Sequence, residues 1–350
     1  MKLRYKLSVI LVTILLMPVV FLWWASLTPL TPGKSNAVIS KVDPAFIPAT
    51  SRPKKLTIMT WNVAFMHGPG SEGTGYVKLP AEIYQQKLAE AAALIKKSGA
   101  DLVLLQEIDM ASSRTYFVDQ VAELAKQAGL NYYATAVSWA NNYIPFPYWP
   151  ITQQFGVMNS GGAVLSRFPI EKNELLLFEH PTTNAWWYNL FYLYRYSQAV
   201  QIKIAKDYYW VLNQHLEAFD KVSRQAQATQ LIHQIHQYHQ KDSPILIVGG
   251  DLNAIAQESF MNKNYFGDSV DFYRPDSTID LIRTTSPLKD SITVEEYLLN
   301  EKHYYTYPAH QADRKLDYLF VNEKFKINSA KVIQSVTISD HLPYLIEITL

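Results

Sequence analysis

The chain has 350 residues, of which 48% are hydrophobic and 18% are charged, and this globular composition excludes a largely disordered protein. It contains no cysteine, which excludes disulfides, thiolate metal sites, a cysteine nucleophile and a lipid-modified N-terminal cysteine. Residues 1–55 hold eight of the 32 basic and one of the 31 acidic residues, so residues 56–350 carry a net charge of −6, which disfavours a general polyanion binder.

The N-terminal segment begins with three basic residues and continues as an uncharged apolar run from Leu7 to Leu27, with Trp23 and Trp24 near its end. As a helix this run would be about 31 Å long, roughly the hydrocarbon thickness of a bilayer. A cleaved signal peptide usually has a shorter apolar core, so these features favour an uncleaved anchor. We expect residues 1–27 to form a single-pass transmembrane helix, with the following chain on the extracytoplasmic side.

The next segment, residues 28–54, contains five prolines and has no sustained periodicity. Its composition predicts an extended tether between the anchor and the rest of the chain. Residues 55–350 alternate short apolar β-rich runs with helical stretches, and we expect them to form one mixed α/β catalytic domain.

Strands and helices of this domain are predicted from periodicity, glycine and proline positions, and β-branched content. The predicted strands are 55–63, 100–107, 161–167, 198–205, 208–216, 245–249, 316–321 and 344–350, and the predicted helices are 80–99, 117–129 and 221–238. Several strands follow one another without a helix between them. A sheet built purely from alternating strands and helices is therefore disfavoured.

Polar side chains recur at the ends of these predicted strands. They are Asn62, Glu107, His215, Asp251, Asn253, Asp317, Asp340 and His341. A rigid sheet presents catalytic groups at its strand ends, so the recurrence indicates a single site. Carboxylate oxygens suit a hard ion such as Mg²⁺ or Mn²⁺, which keeps water ligands and also binds substrate phosphate oxygens.

Seven short motifs occur in order around these residues: TWN (60–62), LQE (105–107), NSGGAVLSRFPI (159–170), NQHLE (213–217), GGDLNA (249–254), LDYLFV (316–321) and SDH (339–341). The series resembles that of the endonuclease/exonuclease/phosphatase superfamily, which includes deoxyribonuclease, abasic-site endonucleases, inositol polyphosphate 5-phosphatases and neutral sphingomyelinases. The resemblance covers residues 55 to 350. It implies a two-sheet α/β sandwich flanked by helices, with the site at one end of the sheets, and it leaves the substrate open.

The resemblance also implies roles for the motif residues in phosphate ester hydrolysis. Glu107, helped by Asn62, is implied as the ligand of a Mg²⁺ or Mn²⁺ ion, and Asp340 is expected to reach the metal or a bound water. Asp251 is implied as the base that deprotonates the attacking water. Asn253 is implied as a donor to the phosphate or the nucleophile.

Two histidines complete the expected site. His341 is implied as a cationic donor to the scissile phosphate, with Asp317 holding its other ring nitrogen. His215 is implied as a candidate to protonate the leaving group. We expect Gly249 and Gly250 to let the backbone approach the phosphate closely.

Other polar features have simpler explanations. His233, His236 and His239 lie three residues apart on a polar helix, and a solvated surface is favoured over a metal tract. Arg224 lies four residues after Asp220, and an ion pair within the helix is favoured over a phosphate contact.

Two aromatic segments, residues 131–150 and 184–198, lie on either side of the strand predicted at 161–167. They could be ordinary core, stacking surfaces for unpaired bases, or a membrane-facing rim. Their single basic residue is Arg195, whereas base-stacking sites usually line a positive groove, so the lipid interface is favoured.

The sequence therefore predicts a membrane-anchored, Mg²⁺-dependent phosphoesterase. Its expected partners are the lipid bilayer and a phosphate ester, which we expect to be the phosphodiester of a lipid head group or of another membrane-associated substrate. An extracytoplasmic nuclease acting on nucleic acid is one alternative, and a non-catalytic binding protein on the same fold is another. No protein partner is inferred.

Overall fold

The computed structural model describes residues 2–42, 52–69, 76–239, 244–259 and 265–350. In chain order the helices are α1 (Lys2–Ser26), α2 (Ala81–Ser98), α3 (Gln120–Ala128), α4 (Trp186–Asn189), α5 (Lys221–His239), α6 (Thr278–Thr285) and α7 (Val294–Asn300). The first seven strands are β1 (Gly33–Asn36), β2 (Ile39–Lys41), β3 (Lys55–Asn62), β4 (Leu102–Asp109), β5 (Tyr132–Ile144), β6 (Gly156–Ser166) and β7 (Ile170–Leu177). The remaining strands are β8 (Tyr196–Ile204), β9 (Asp207–His215), β10 (Ile245–Asp251), β11 (Leu288–Asp290), β12 (Asp317–Asn322), β13 (Lys326–Val332) and β14 (Tyr344–Thr349).

These strands form two seven-stranded sheets. The first has the order β1-β7-β8-β9-β10-β12-β11, and the second has the order β13-β14-β3-β4-β6-β5-β2. Both sheets are mixed: β9 and β10 are parallel, as are β3 and β4, while the other pairs are antiparallel. This mixture agrees with the sequence, because adjacent predicted strands without a helix between them are joined as antiparallel pairs.

The main core lies between the sheets and contains apolar residues from both, such as Met59 and Leu104 from one sheet and Val211 and Leu319 from the other. Helices α2 and α3 cover the outer face of the second sheet. A second core fills the space between the first sheet and helices α5 and α6. The prediction of a two-sheet α/β sandwich flanked by helices is confirmed.

Helix α2 begins and ends within one residue of the prediction, whereas α3 ends as predicted but begins three residues later, at Gln120. Pro80 precedes α2, and Gly99, in the left-handed conformation, ends it. The Asp119 side chain caps α3 by accepting a hydrogen bond from the Ala122 N–H, and Gly129 ends that helix. The start of α3 and the ends of α2 and α3 follow from local chemistry. An acidic cap satisfies a free N–H group, and glycine adopts positive φ without a side-chain clash.

Much of the aromatic segment 131–150 is a strand that was not predicted from the sequence. Its first part is strand β5, which pairs along most of its length with β6. The neighbouring β6 also begins earlier than predicted, at Gly156. Aromatic side chains fit a pleated, half-buried surface, and here they form part of the second sheet.

No helix among the residues that the structure describes is long and apolar enough to cross a membrane. The prediction of a transmembrane anchor in residues 1–27 is therefore not supported. The C-terminal end of α1 contacts β5: the Phe21 and Tyr143 rings lie 5.6 Å apart, and Asn142 Nδ2 donates a hydrogen bond to the Trp24 carbonyl.

The predicted tether also differs from the structure over residues 33–41. Strand β1 pairs with β7 at the edge of the first sheet, and β2 pairs with β5 at the edge of the second. These residues are therefore hydrogen bonded to the domain instead of forming an extended linker. Residues 43–51 of the predicted tether lie outside the described part of the chain.

Candidate active site

Three predicted site residues lie side by side where three neighbouring strands of the first sheet begin or end. His215 ends β9 and pairs in register with Asp251 at the end of the parallel strand β10. Asp251 pairs in register with Asp317, the first residue of the antiparallel strand β12. In-register neighbours project from the same face of a sheet, so the three side chains point toward the second sheet.

The second sheet presents two further site residues across from this row. Asn62 ends β3, and its Nδ2 donates to Glu107 Oε1 at 3.0 Å and to Asp251 Oδ2 at 2.9 Å. The other atom of the amide, Oδ1, accepts from the Ala64 N–H at 3.0 Å. Asn62 thus connects one carboxylate from each sheet.

Two site residues adopt a strained backbone conformation. Glu107 has φ of 52° and Asn253 has φ of 50°, in the left-handed region that non-glycine residues rarely occupy. Glu107 lies at a bulge, where the pairing of β4 with β6 shifts between Leu105 and Ile108. Such strain costs about 1–3 kcal/mol per residue and clusters at functional sites, where it directs side chains.

His341 and Asp317 form a buried pair. His341 Nδ1 donates to Asp317 Oδ2 at 2.9 Å, and His341 Nε2 lies 3.7 Å from Asp251 Oδ2. Burial acts to lower the pKa of His341, but the carboxylates of Asp317 and Asp251 raise it well above the ordinary value. A cationic imidazole has an N–H at both nitrogens, so Nε2 can donate toward the site.

Asp251 is buried between these groups and has an unusual acidity. Burial raises its pKa to about 7, the His341 cation opposes that shift, and Asp317 adds to it. A carboxylate with a pKa near neutrality is suited to exchange protons with water. Asp251 also accepts a hydrogen bond from the Asn253 N–H at 2.9 Å, which fixes its orientation.

His215 does not match its predicted role in this arrangement. Its Nε2 lies 3.6 Å from Glu107 Oε1 and 3.7 Å from Asp251 Oδ2, so it is in the site. Burial, the Arg195 cation and His341 together hold its pKa well below the ordinary value. Arg195 Nη1 lies 2.5 Å from the same Nε2. The neutral ring must accept that hydrogen bond, so it has no proton to give from this nitrogen.

Arg195 is a site residue that the sequence motifs missed. It appeared only as the single basic residue of the aromatic segments. Its position directly before β8, whose first residue Tyr196 pairs with His215, brings it to the site. That pairing is between strands whose register cannot be read from the motifs alone.

Asn253 and Asp340 flank this centre. The Asn253 Nδ2 donates one hydrogen bond to the Leu216 carbonyl at 3.0 Å. Asp340 Oδ1 lies 3.2 Å from Ser339 Oγ, which is itself 2.7 Å from the Asn62 carbonyl oxygen. Both residues therefore lie at the edge of the site, next to Asp251 and Asn62 respectively.

The donor chemistry fits a divalent ion. Glu107 has a side chain that is 23% exposed and faces the buried Asp251 across the Asn62 amide. A hard ion that retains water needs carboxylate oxygens accessible to solvent. Asn62 itself presents its N–H group to the carboxylates, so a direct metal bond from its oxygen would need the amide to turn over.

A second grouping of possible ligands lies in the described part of the chain. Asp251, Asp317 and His341 have one ligand atom each within 4.8 Å of the others. His341 and Asp317 are already hydrogen bonded to each other. This grouping differs from the predicted ligand set of Glu107, Asn62 and Asp340.

The two glycines before Asp251 lie in close contact with the neighbouring strands, and their predicted role beside a phosphate stays a prediction. A Cβ on Gly250, which has φ of 143°, would lie 2.0 Å from the Gln214 carbonyl oxygen, and one on Gly249 would lie 2.3 Å from that of Tyr318. Both glycines are thus required by close contact with the neighbouring strands β9 and β12.

The prediction for Arg224 is wrong. Its side chain is fully buried, with Nε donating to Asp276 Oδ2 at 2.6 Å and Nη1 to the Glu217 carbonyl at 2.6 Å, instead of pairing with Asp220. The three histidines of α5 are exposed, as a solvated helix face predicts.

A known protein family matches most of the chain. The model of the endonuclease/exonuclease/phosphatase family matches residues 59–341. No curated protein matches the chain significantly.

Solved structures share the fold at low sequence identity. An endonuclease/exonuclease/phosphatase from Beutenbergia cavernae is 18% identical with a TM-score of 0.59, covering 85% of this chain and 72% of its own. A protein of the same description from Bacteroides vulgatus is 14% identical with a TM-score of 0.55, covering 85% of this chain and 100% of its own. D. rerio TDP2 complexed with a single-strand DNA product is 15% identical with a TM-score of 0.52, covering 85% and 100%.

The histidine pair predicts a graded response to mutation. His341→Ala removes the cationic donor and should lower kcat for phosphodiester hydrolysis by about 10²- to 10³-fold, the cost of losing one such donor. Asp317→Asn keeps the histidine and should cost about 10- to 100-fold, the cost typical of losing a supporting hydrogen-bond partner. Steady-state kinetics on both folded variants checks the order. Parent-like activity in Asp317→Asn would make Asp317 a purely structural residue.

The acidity of Asp251 predicts the pH profile. Burial places its pKa near 7, so the protonated, inactive form grows as the pH falls through that value. We expect kcat/KM to decline below about pH 7. An ordinary aspartate would cause this decline about three pH units lower. A higher Mg²⁺ concentration should shift this decline in kcat/KM to lower pH, because nearby positive charge favours the ionised carboxylate of Asp251. A profile that is flat from about pH 5 to about pH 8 would contradict the assignment.

Proposed function

The chain belongs to the endonuclease/exonuclease/phosphatase family, and from that premise we propose that it is a divalent-metal-dependent phosphodiesterase. The observation that carries the proposal is the buried Asp251 carboxylate, which lies 3.7 Å from a histidine nitrogen on each side. The bridge from Asn62 to Glu107 places a second carboxylate beside it. Members of this family are generally hydrolytic phosphoesterases and nucleases.

In the proposed mechanism each residue acts on a phosphodiester bound between the sheets. A divalent ion held by Glu107, with Asn62 and Asp340 nearby, would neutralise phosphate charge and stabilise the leaving oxygen. Asp251 accepts the proton of the attacking water, which its raised pKa permits.

The remaining groups bind and orient the phosphate. His341 donates from Nε2 to a phosphate oxygen, and its bond to Asp317 fixes the ring and stabilises the cation. Asn253 uses one amide hydrogen on the Leu216 carbonyl, and its second hydrogen can serve the phosphate or the nucleophile.

For the substrate, we propose the phosphodiester of a lipid head group. The supporting observation is a set of exposed aromatic side chains, Tyr148, Trp149, Trp186, Trp187 and Tyr188, which we name the aromatic rim. Trp149 and Trp186 are 78% and 76% exposed. Exposed aromatic clusters mark interaction surfaces, and tryptophan and tyrosine favour the lipid interface.

The rim adjoins the active site and carries little charge. The Tyr188 and Tyr192 rings lie 5.2 Å apart, and Tyr192 donates a hydrogen bond to Glu217, two residues after His215. Residues 131–166 contain no Asp, Glu, Lys or Arg, and neither do residues 180–194. An uncharged rim suits an apolar surface, whereas a groove for single-stranded nucleic acid combines aromatic rings with positive charge.

Nucleic acid is a second candidate substrate. Exposed tryptophans such as Trp149 and Trp186 can stack on unpaired bases, and one structural neighbour is complexed with a single-strand DNA product. A purely binding function is disfavoured, because six of the eight predicted site residues converge. Anchoring in a membrane and an extracytoplasmic location stay predictions.

Metal dependence is the first test of this function. A chelator such as EDTA should abolish hydrolysis of bis(p-nitrophenyl) phosphate by the full-length protein, and added Mg²⁺ or Mn²⁺ should restore it, because few protein ligands would hold the ion. The Glu107→Gln variant should need a higher Mg²⁺ concentration for half-maximal rate. Full activity in excess EDTA would contradict the proposed mechanism.

The aromatic rim supplies the test of the substrate. Changing Trp186 and Trp187 to alanine should weaken binding to phosphatidylcholine vesicles and lower hydrolysis of vesicle-borne phosphodiester by about 10-fold or more, because apolar surface that inserts into lipid is lost. Turnover of bis(p-nitrophenyl) phosphate should stay within about twofold, since neither tryptophan belongs to the catalytic centre.

A matched control is Phe117→Ala, which removes an exposed aromatic side chain outside the rim. It should leave both activities unchanged. An equal loss of both activities in the double tryptophan variant would identify those residues as structural. Tight binding of single-stranded DNA that depends on them, without vesicle binding, would favour the nuclease instead.

A further inference from the structure

Arg195 places a buried cation directly beside the catalytic carboxylates. The residue is 5% exposed, and its Nη1 lies 2.5 Å from His215 Nε2. That imidazole nitrogen lies 3.6 Å from Glu107 Oε1 and 3.7 Å from Asp251 Oδ2. A single nitrogen, His215 Nε2, thus lies between the guanidinium and these two carboxylates.

Part of the hydrogen-bonding capacity of Arg195 is unused by the described residues. Its Nε has no hydrogen-bond partner among the described residues. Glu217 Oε2 lies 3.5 Å from that nitrogen and balances its charge, while Glu217 Oε1 accepts from the Tyr192 hydroxyl at 2.8 Å and the Phe219 N–H at 3.1 Å. Arg195 Nη2 contacts the Tyr192 hydroxyl at 3.4 Å. Glu217 therefore compensates the charge without saturating the donors.

Three other buried arginines of the described chain pair with carboxylates: Arg114, Arg224 and Arg314, although the Nε of Arg314 also has no hydrogen-bond partner. Arg114 donates from Nε and Nη2 to the two carboxylate oxygens of Asp109, at 3.0 Å and 2.8 Å. Arg224 donates to Asp276 and to three backbone carbonyls. Arg195 differs from them because its Nη1 donates to a neutral imidazole nitrogen beside the catalytic carboxylates. Buried donors normally find partners, so this position of Arg195, with its unused Nε–H, indicates a place for an anion.

We propose that Arg195 binds a non-bridging oxygen of the scissile phosphate and leaves the Nε2 of His215 when it does so. The proposal rests on the phosphodiesterase function proposed above. A phosphate oxygen carries charge and accepts a stronger hydrogen bond than a neutral imidazole, so the guanidinium exchanges one acceptor for the other. Arginine also presents parallel N–H groups that match the spacing of phosphate oxygens.

This exchange has a consequence for His215. While Arg195 donates to it, Nε2 is blocked from the substrate; once the guanidinium has moved to the phosphate, Nε2 faces the reacting group. The Tyr192 and Glu217 contacts hold Arg195 at the junction of the aromatic rim and the site. Phosphate binding to the site therefore exposes His215 Nε2 to the reacting group.

Phosphate binding and turnover are measured separately in the test. Full-length Arg195→Met and Arg195→Lys are compared with the parent and with Arg167→Met, which removes the same charge from a half-exposed pair with Asp101. Isothermal titration with inorganic phosphate in Mg²⁺ should show about 10-fold or greater loss of affinity in Arg195→Met and a smaller loss in Arg195→Lys, which keeps the charge without the fork. Arg167→Met should bind phosphate like the parent.

Kinetics with bis(p-nitrophenyl) phosphate provide the second readout. Arg195→Met should lower kcat/KM by about 100-fold, the cost of losing one donor to developing phosphate charge. Thermal melting shows whether each variant is folded, and Arg195→Lys replaces Arg195→Met if the latter is not. Phosphate affinity equal to the parent in a folded Arg195 variant, or a parent that binds no phosphate, overturns the proposal.

The two proposals can fail independently. A parent that binds phosphate through Arg195 but hydrolyses no diester supports this inference and contradicts the proposed function. A parent that hydrolyses diesters while the Arg195 variants bind phosphate normally supports the function and makes Arg195 a structural residue.

Discussion

The hydrogen bonds of the Asn62 amide hold the candidate site together. One Nδ2 group donates to Glu107 from its own sheet and to Asp251 from the opposite sheet, at 3.0 Å and 2.9 Å. Two carboxylates brought this close would repel each other, and a shared donor reduces that repulsion. The amide can reach both only if the two sheets keep one fixed relative position. The site therefore depends on the contacts that fix the position of one sheet relative to the other.

Buried amide side chains between the sheets provide these contacts. Gln106 Nε2, next to Glu107 in the chain, donates to Asn213 Oδ1 at 2.6 Å, and Asn213 Nδ2 donates to the Leu105 carbonyl at 3.0 Å and to Gln198 Oε1 at 3.2 Å. An apolar interface tolerates sliding, whereas buried polar groups must stay paired. A shift of one sheet would break these bonds, so the same contacts that hold the sheets also align the residues that follow them.

Local chemistry explains why much of this was predictable from the sequence. The N-cap of α3, the glycines that end α2 and α3, and the apolar run of β10 depend only on residues that are neighbours in sequence. The motif series located the converging side chains. The sheet edges β1 and β2, the long strand β5 and the burial of Arg224 against Asp276 depend on partners far away in the chain. Arg195 is of this second kind, since strand register brings it to His215. Roles that rest on a hydrogen-bonding state, such as that of His215, also required the three-dimensional contacts.

The charges of the site indicate what a substrate must meet there. Four carboxylates, those of Glu107, Asp251, Asp317 and Glu217, surround the centre, whereas the cations in contact with them are Arg195 and His341. Burial raises the pKa of Asp251 to about 7, with Asp317 adding to the rise and the His341 cation opposing it. A phosphodiester would add a further negative charge at low dielectric, where repulsion is strong. A divalent cation beside Glu107 would offset the excess of negative charge, and the proposed movement of the Arg195 guanidinium from His215 to the phosphate would then leave no carboxylate without a compensating charge. Metal binding should therefore precede productive substrate binding, because the site repels the phosphodiester until the divalent cation has neutralised its excess negative charge.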